Sequence, residues 1–76
     1  MTNTSIPLMA NTSFEHHGHQ VEIKAWQAEN RWAWSFQIDD RMPVENVQTG
    51  ARSEDQALAE ARHEAIAAIK ALHEEP

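Results

Sequence analysis

From residue 21 to residue 26 apolar and polar side chains alternate. Val21, Ile23 and Ala25 fall on one face and Glu22, Lys24 and Trp26 on the other, the period of two that a half-buried strand requires. Residues 27–30, Gln-Ala-Glu-Asn, interrupt the pattern, and residues 31–38 resume it with Trp32, Trp34, Phe36 and Ile38 on one face. The two runs predict a β-hairpin closed by a four-residue loop. Setting Trp26 opposite Arg31 places Ala25 against Trp32, Ile23 against Trp34 and Val21 against Phe36, so every large core side chain gathers on one side. A one-residue slip would divide the two apolar sets between faces.

Residues 39–43, Asp-Asp-Arg-Met-Pro, read as a turn. A third, weaker strand is expected over residues 44–49, where Val44 and Val47 differ in parity and so imply a bulge or an irregular edge. Beyond Gly50 the period lengthens. Ala57, Leu58, Ala61, Ala65, Ala68, Ile69 and Leu72 share one arc at 100° per residue, with Glu60, His63, Ala67 and Lys70 on the solvent side. Ser53-Glu54-Asp55-Gln56 forms a capping box, in which Ser53 accepts from the Gln56 amide and Gln56 reaches back to the Ser53 amide. Glu54 and Asp55 also suit the positive end of the helix dipole. A helix of about twenty residues spans roughly 30 Å, enough to cross the whole sheet, and its alanines leave room for the bulky Trp32, Trp34 and Phe36 beneath. The fold class is therefore α+β: a three-stranded antiparallel β-meander followed by one long C-terminal α-helix packed on one sheet face.

A chain of 76 residues forms a single domain close to the lower size limit for a self-sufficient core. Residues 1–12, rich in Thr, Asn and Ser, are expected to be a flexible N-terminal arm in which Ile6, Leu8 and Met9 are the apolar anchors, and residues 13–76 a single β-β-β-α domain. There is no cysteine, so neither disulfides nor a thiolate metal cage contributes. The first ten residues carry neither a basic region nor a long apolar run, which points to a cytoplasmic protein with no membrane association. The formal net charge is -6. Lys24, Arg31, Arg41, Arg52, Arg62 and Lys70 are scattered along the chain, a distribution that disfavours nucleic acid as a partner.

Candidate chemistry is sparse. His16, His17 and His19, with Gly18 between them, are the candidate metal ligands, because three imidazoles within four residues suit Zn, Ni or Cu. Glu60 and His63 match the Glu-x-x-His spacing of di-iron bundles, but the helical periodicity puts both on the solvent side. Asp39-Asp40 reads as a turn pair, and Ser5, Ser13, Ser35 and Ser53 lack any nucleophile-elbow context. With only two glycines the chain has no phosphate-cradling loop, so neither an enzyme nor a bound cofactor is expected. Trp26 stands apart, since the proposed register leaves it on the outer sheet face with Arg31 opposite, in reach of a cation–π contact. Trp26, Lys24 and Arg31 are accordingly the candidate partner contacts.

The β-β-β-α order and the helix entry over residues 53–61 resemble the core of the double-stranded-RNA-binding domain and of HicB-like antitoxins. The layout is also similar to a group of small proteobacterial β-β-β-α proteins. In these a Gly-His-x-Val-x-Ile strand, here residues 18–23, leads to a Trp-rich strand and a Ser-x-x-x-Ala-Leu helix start, here residues 53–58. The RNA-binding relatives implied by the first resemblance place lysines at the helix start, where they meet phosphates. This chain has Glu54 and Asp55 there, so the layout is shared without the residues that would carry RNA binding. The leading expectation is a small non-enzymatic protein-interaction module, an adaptor or regulator, with homodimer formation as one form of that interaction. The competing expectation is a metal-binding protein using His16, His17 and His19. Nucleic-acid binding ranks third.

Overall fold

Alternation of side chains is strongest in the middle of the chain, and there the sheet has its centre. The computed structural model describes residues 9–74. They form β1 (Met9–His16), β2 (His19–Ala28), β3 (Arg31–Ile38), β4 (Val44–Asn46) and α1 (Glu54–His73). The strands make one antiparallel sheet in the order β1-β2-β3-β4, with α1 lying over β2 and β3. The α+β class and the C-terminal helix are as the periodicities predict.

The sheet has four strands rather than three. Residues 9–12, expected in the N-terminal arm, belong to β1, while Ile6 and Leu8 lie outside the described residues. The strand is hard to read because its helix-side positions are Ala10, Thr12, Phe14 and His16, of which only Phe14 is a large apolar residue. They nevertheless pair with Ala25, Ile23, Val21 and His19 of β2. An edge strand half-covered on one face needs little apolar content, and Thr is at home in extended backbone. The link from β1 to β2 is the tight turn at His17-Gly18, both residues with positive φ, 51° and 80°, as two-residue hairpin loops demand.

The register of the central hairpin differs from the expected one by two residues. Ala28 pairs with Arg31, Trp26 with Ala33, Ala25 with Trp34, Ile23 with Phe36 and Val21 with Ile38. The loop is therefore Glu29-Asn30, with Glu29 at φ 57°, and the strands extend through Gln27 and Ala28. A shift of two preserves parity, so the apolar side chains still share one face. Register was constrained only modulo two by the hydrophobic pattern.

β4 pairs with β3 over three residues only. Val44 and Val47 are both exposed. Beyond β4 the chain still tracks β3: the Arg31 Nε donates to the Val47 carbonyl at 3.2 Å, and the Trp32 amide donates to the Ala51 carbonyl at 3.0 Å. At the helix entry the Ser53 Oγ accepts from the Gln56 amide at 3.1 Å. The return bond of the capping box goes one residue further back, from the Arg52 amide to the Gln56 Oε1 at 3.1 Å.

Between the layers sit Val21, Ile23, Ala25, Trp32, Trp34, Phe36 and Ile38 from the sheet and Ala57, Ala61, Ala65 and Ile69 from the helix, all buried. The four helical positions are four apart, a row along one side of α1. Three of the four are alanine, which lets the helix approach strands carrying Trp34 and Phe36, whose rings stack at 6.0 Å. Phe14, Leu58 and Ala68 flank this core. The Arg62 guanidinium lies 4.7 Å from the centre of the Phe14 ring, a cation–π lid over the β1 side.

Candidate functional site

At one end of the sheet the β1–β2 turn, the β3–β4 turn and the C-terminus of α1 converge. His16 and His19 are paired across the first hairpin and share the parity of Phe14 and Val21, so both lie on the helix side. α1 ends above them with His73 in its last turn. The ring centres of His19 and His73 are 5.2 Å apart, and those of His17 and His73 are 5.8 Å apart. Four imidazoles thus share one corner.

Asp39 holds this corner in place. It sits in the turn after β3 at φ 53°, a left-handed conformation that Asp tolerates better than most residues. Its amide donates to the Gln20 carbonyl at 2.8 Å, its Oδ1 accepts from the Gln20 amide at 2.9 Å and its Oδ2 accepts from the His19 Nδ1 at 2.6 Å. The hydrogen bond from His19, with that from the Gln20 amide, lowers the Asp39 pKa from the ordinary 3.8, against a smaller opposing effect of desolvation. With Nδ1 protonated for Asp39, the His19 Nε2 of a neutral ring is an acceptor, and it lies 3.1 Å from the His73 Nε2. The result is a chain of contacts, Asp39 to His19 to His73, joining three elements.

A pH dependence follows from the lowered carboxyl. A group whose folded pKa is depressed contributes stability that is present above its unfolded pKa and is lost as the pH falls through the folded value. The Asp39 contribution is therefore expected to be complete at neutral pH and to disappear below the ordinary carboxylate value of 3.8. Asp39→Asn keeps an oxygen for the Gln20 amide but has no charge to lose. Its melting temperature should fall less than that of the parent between about pH 5 and about pH 2, as followed by circular dichroism. Equal acid sensitivity of the two proteins would remove Asp39 from the acid response.

Of the residues singled out in the sequence, His16, His17 and His19 are brought together with His73, which the solvent-face reading of the helix had no reason to include. Among the described residues no three His, Asp or Glu side chains converge as ready metal ligands. His16 and His17 instead stack edge to face at 4.5 Å.

The second region is the sheet face that α1 leaves open. Here Lys24 and Trp26 of β2 line one shallow depression with Met9 of β1, Ser35 and Gln37 of β3, and Met42, Pro43 and Glu45. Half-buried, Trp26 pairs with Met9 on one side and with the fully buried Ala33 on the other. Arg31 is not its neighbour, because the two-residue shift sets Arg31 against Ala28 and its guanidinium is bound to Val47. The expected Trp26–Arg31 contact is therefore not formed.

Glu60 also departs from expectation. It is turned toward the sheet, where its Oε1 accepts from the Trp34 Nε1 at 3.2 Å and from the Thr49 hydroxyl at 2.5 Å, while His63 is exposed. A wide arc of the helix faces the protein, and a long acidic side chain at its border can bend inward to satisfy an indole N–H that the core would otherwise orphan. No protein-family model, curated protein or solved structure matches the chain. No helix of the described residues is long and apolar enough to cross a membrane.

Proposed function

We propose that the chain is a small non-enzymatic protein-interaction module, an adaptor or regulator, that engages a protein partner or a second copy of itself through the open sheet face. The observation that supports this reading is the depression of the open face that Trp26, Lys24, Met9 and Met42 line together. Met9 is 60% exposed and Met42 81% exposed. Both are large apolar side chains that line one depression together with the Trp26 indole. Methionine adapts its shape to what it touches and tryptophan supplies a rigid anchor, the combination from which contact surfaces are built. Among the described residues β1 is the end strand of the sheet and borders this depression through Met9, so an incoming extended segment has a strand edge to pair with next to the anchor. Lys24 and Trp26 are contact residues in this reading; Arg31 is not.

Met42→Glu tests it without disturbing the core, because the side chain is mostly in solvent. The variant is expected to weaken self-association measured by sedimentation velocity, or capture of the native partner, by about tenfold or more, as removal of an interface anchor does. Trp26→Ala should do the same, with a modest loss of thermal stability from uncovering Ala33. If neither variant alters self-association or partner capture, the open face is not the contact surface.

A further inference from the structure

We infer that the corner of four imidazoles is a binding site for a divalent transition-metal ion, with the Nε2 atoms of His19 and His73 as its two anchoring ligands. The inference stands apart from the interaction reading, since it concerns one end of the helix-covered side of the sheet and not the open face. Two imidazoles that bind a tetrahedral ion through one nitrogen each, at about 2.05 Å, hold those nitrogens roughly 3.3 Å apart and their ring centres roughly 5.2 Å apart. In this protein the two Nε2 atoms are 3.1 Å apart and the ring centres 5.2 Å apart. The pair already has the bite of a chelate. A metal ion bound beside the pair would replace the contact between the two nitrogens.

The other ring nitrogen of His19 supports the same assignment. Its Nδ1 is bound to the Asp39 carboxylate at 2.6 Å, which fixes the tautomer that leaves Nε2 free for a metal and orients the ring. Asp39 is itself fixed by two bonds to Gln20. A carboxylate, an imidazole and a metal position in line are the arrangement that metalloproteins use to orient a ligating histidine. The proposed third ligand is His17, which is not yet converged on the pair but whose ring centre is 5.8 Å from that of His73. It is exposed at the hairpin tip. Water completes the coordination. Nitrogen ligands without thiolate suit Zn, Ni or Cu ions rather than Mg or Ca.

The site differs from a cluster of His16, His17 and His19 on one loop in a way that can be measured. Binding at His19 and His73 ties the end of α1 to the sheet, so metal should stabilise the fold as well as bind to it. The test is calorimetric titration of the tag-free chain with zinc chloride and nickel chloride, together with thermal melts with and without the metal. The parent is expected to bind one ion with micromolar affinity or better and to melt at a higher temperature when it is present. His73→Ala should weaken binding at least about tenfold and abolish the metal-dependent rise, and Asp39→Asn should weaken it about tenfold, as loss of an outer carboxylate partner does. His63→Ala, remote from the corner, should change neither. Melts without metal report whether each variant is folded, and His73→Gln serves where the alanine variant is not. Paramagnetic nickel at low stoichiometry should broaden the imidazole proton resonances of His19 and His73 in the parent. Binding that survives in both His73 variants with undiminished affinity, broadening confined to His16 and His17, or affinity weaker than about 100 μM would each overturn the proposal.

Discussion

Ala61→Leu is expected to lower the melting temperature by roughly 10–20 °C, corresponding to a loss of about 2–3 kcal/mol in a domain of this size. Ala61 is fully buried at the middle of the helical row formed by Ala57, Ala61, Ala65 and Ile69. Beneath it lie strands whose inward positions are Trp34, Phe36 and Ile23. The spacing between the layers is set by the alanine methyl groups, so three additional carbon atoms have nowhere to go unless α1 lifts from the sheet or the indole leaves its rotamer. Leucine is almost as good a helix former as alanine, which removes intrinsic propensity as a cause. A native stability of about 0.05–0.15 kcal/mol per residue leaves little reserve against such a loss. Ala67→Leu, on the exposed side of the same helix, is the control and should melt with the parent. Ala65→Leu should behave as Ala61→Leu does. A thermal melt of Ala61→Leu within about 2 °C of the parent would mean that the helix does not dock through this row.

These alanines were legible in the sequence because burial, small size and a four-residue interval all point to the same face. The central hairpin was legible for the same reason, yet only in part. Hydrophobic pattern fixes which face a side chain takes and is blind to a shift of two, so it allows Trp26 opposite Arg31 as readily as the observed pairing with Met9 and Ala33. The loop residues decided the register, and Glu29 at φ 57° carries no glycine or proline to announce the turn. β1 escaped because its covered face is held by Ala10, Thr12, Phe14 and His16, where pairing and the flanking Arg62 do the work that apolar bulk does elsewhere. The histidine corner was half legible. Adjacent imidazoles are visible in any sequence, but His73 lies 54 positions from His19 and Asp39 lies 20 positions away. Only the antiparallel course of the sheet and the length of α1 bring them together. One signal was available: a helix reaching the full length of the sheet must set its last turn over one end, and His73 is in that turn.

The second large effect is expected at Glu60. Glu60→Ala should cost about 2–4 kcal/mol, because it withdraws the acceptor from two donors at once and each donor left unsatisfied in a buried setting costs about 1–3 kcal/mol. The Trp34 indole N–H and the Thr49 hydroxyl both converge on the Glu60 Oε1. Trp34 is 4% exposed and Thr49 5% exposed, so water is a poor substitute for either bond. The Thr49 hydroxyl also accepts from the Ala51 amide at 3.0 Å, and Ala51 in turn is bonded to Trp32. One carboxylate thereby ties the middle of α1 to the core strand β3 and to the segment that leads from the sheet into the helix. Glu60→Gln keeps an acceptor oxygen in the same place and gives up only the charge assistance, so it should retain more than half of the lost stability. The pair Glu60→Ala and Thr49→Val should be less than additive, since removing the hydroxyl also removes one of the two donors that the alanine variant orphans. Urea denaturation of the two single variants and the double variant measures the coupling directly. Full additivity, or a Glu60→Ala midpoint equal to that of the parent, would show that the carboxylate is solvated and that the helix is held by its apolar row alone.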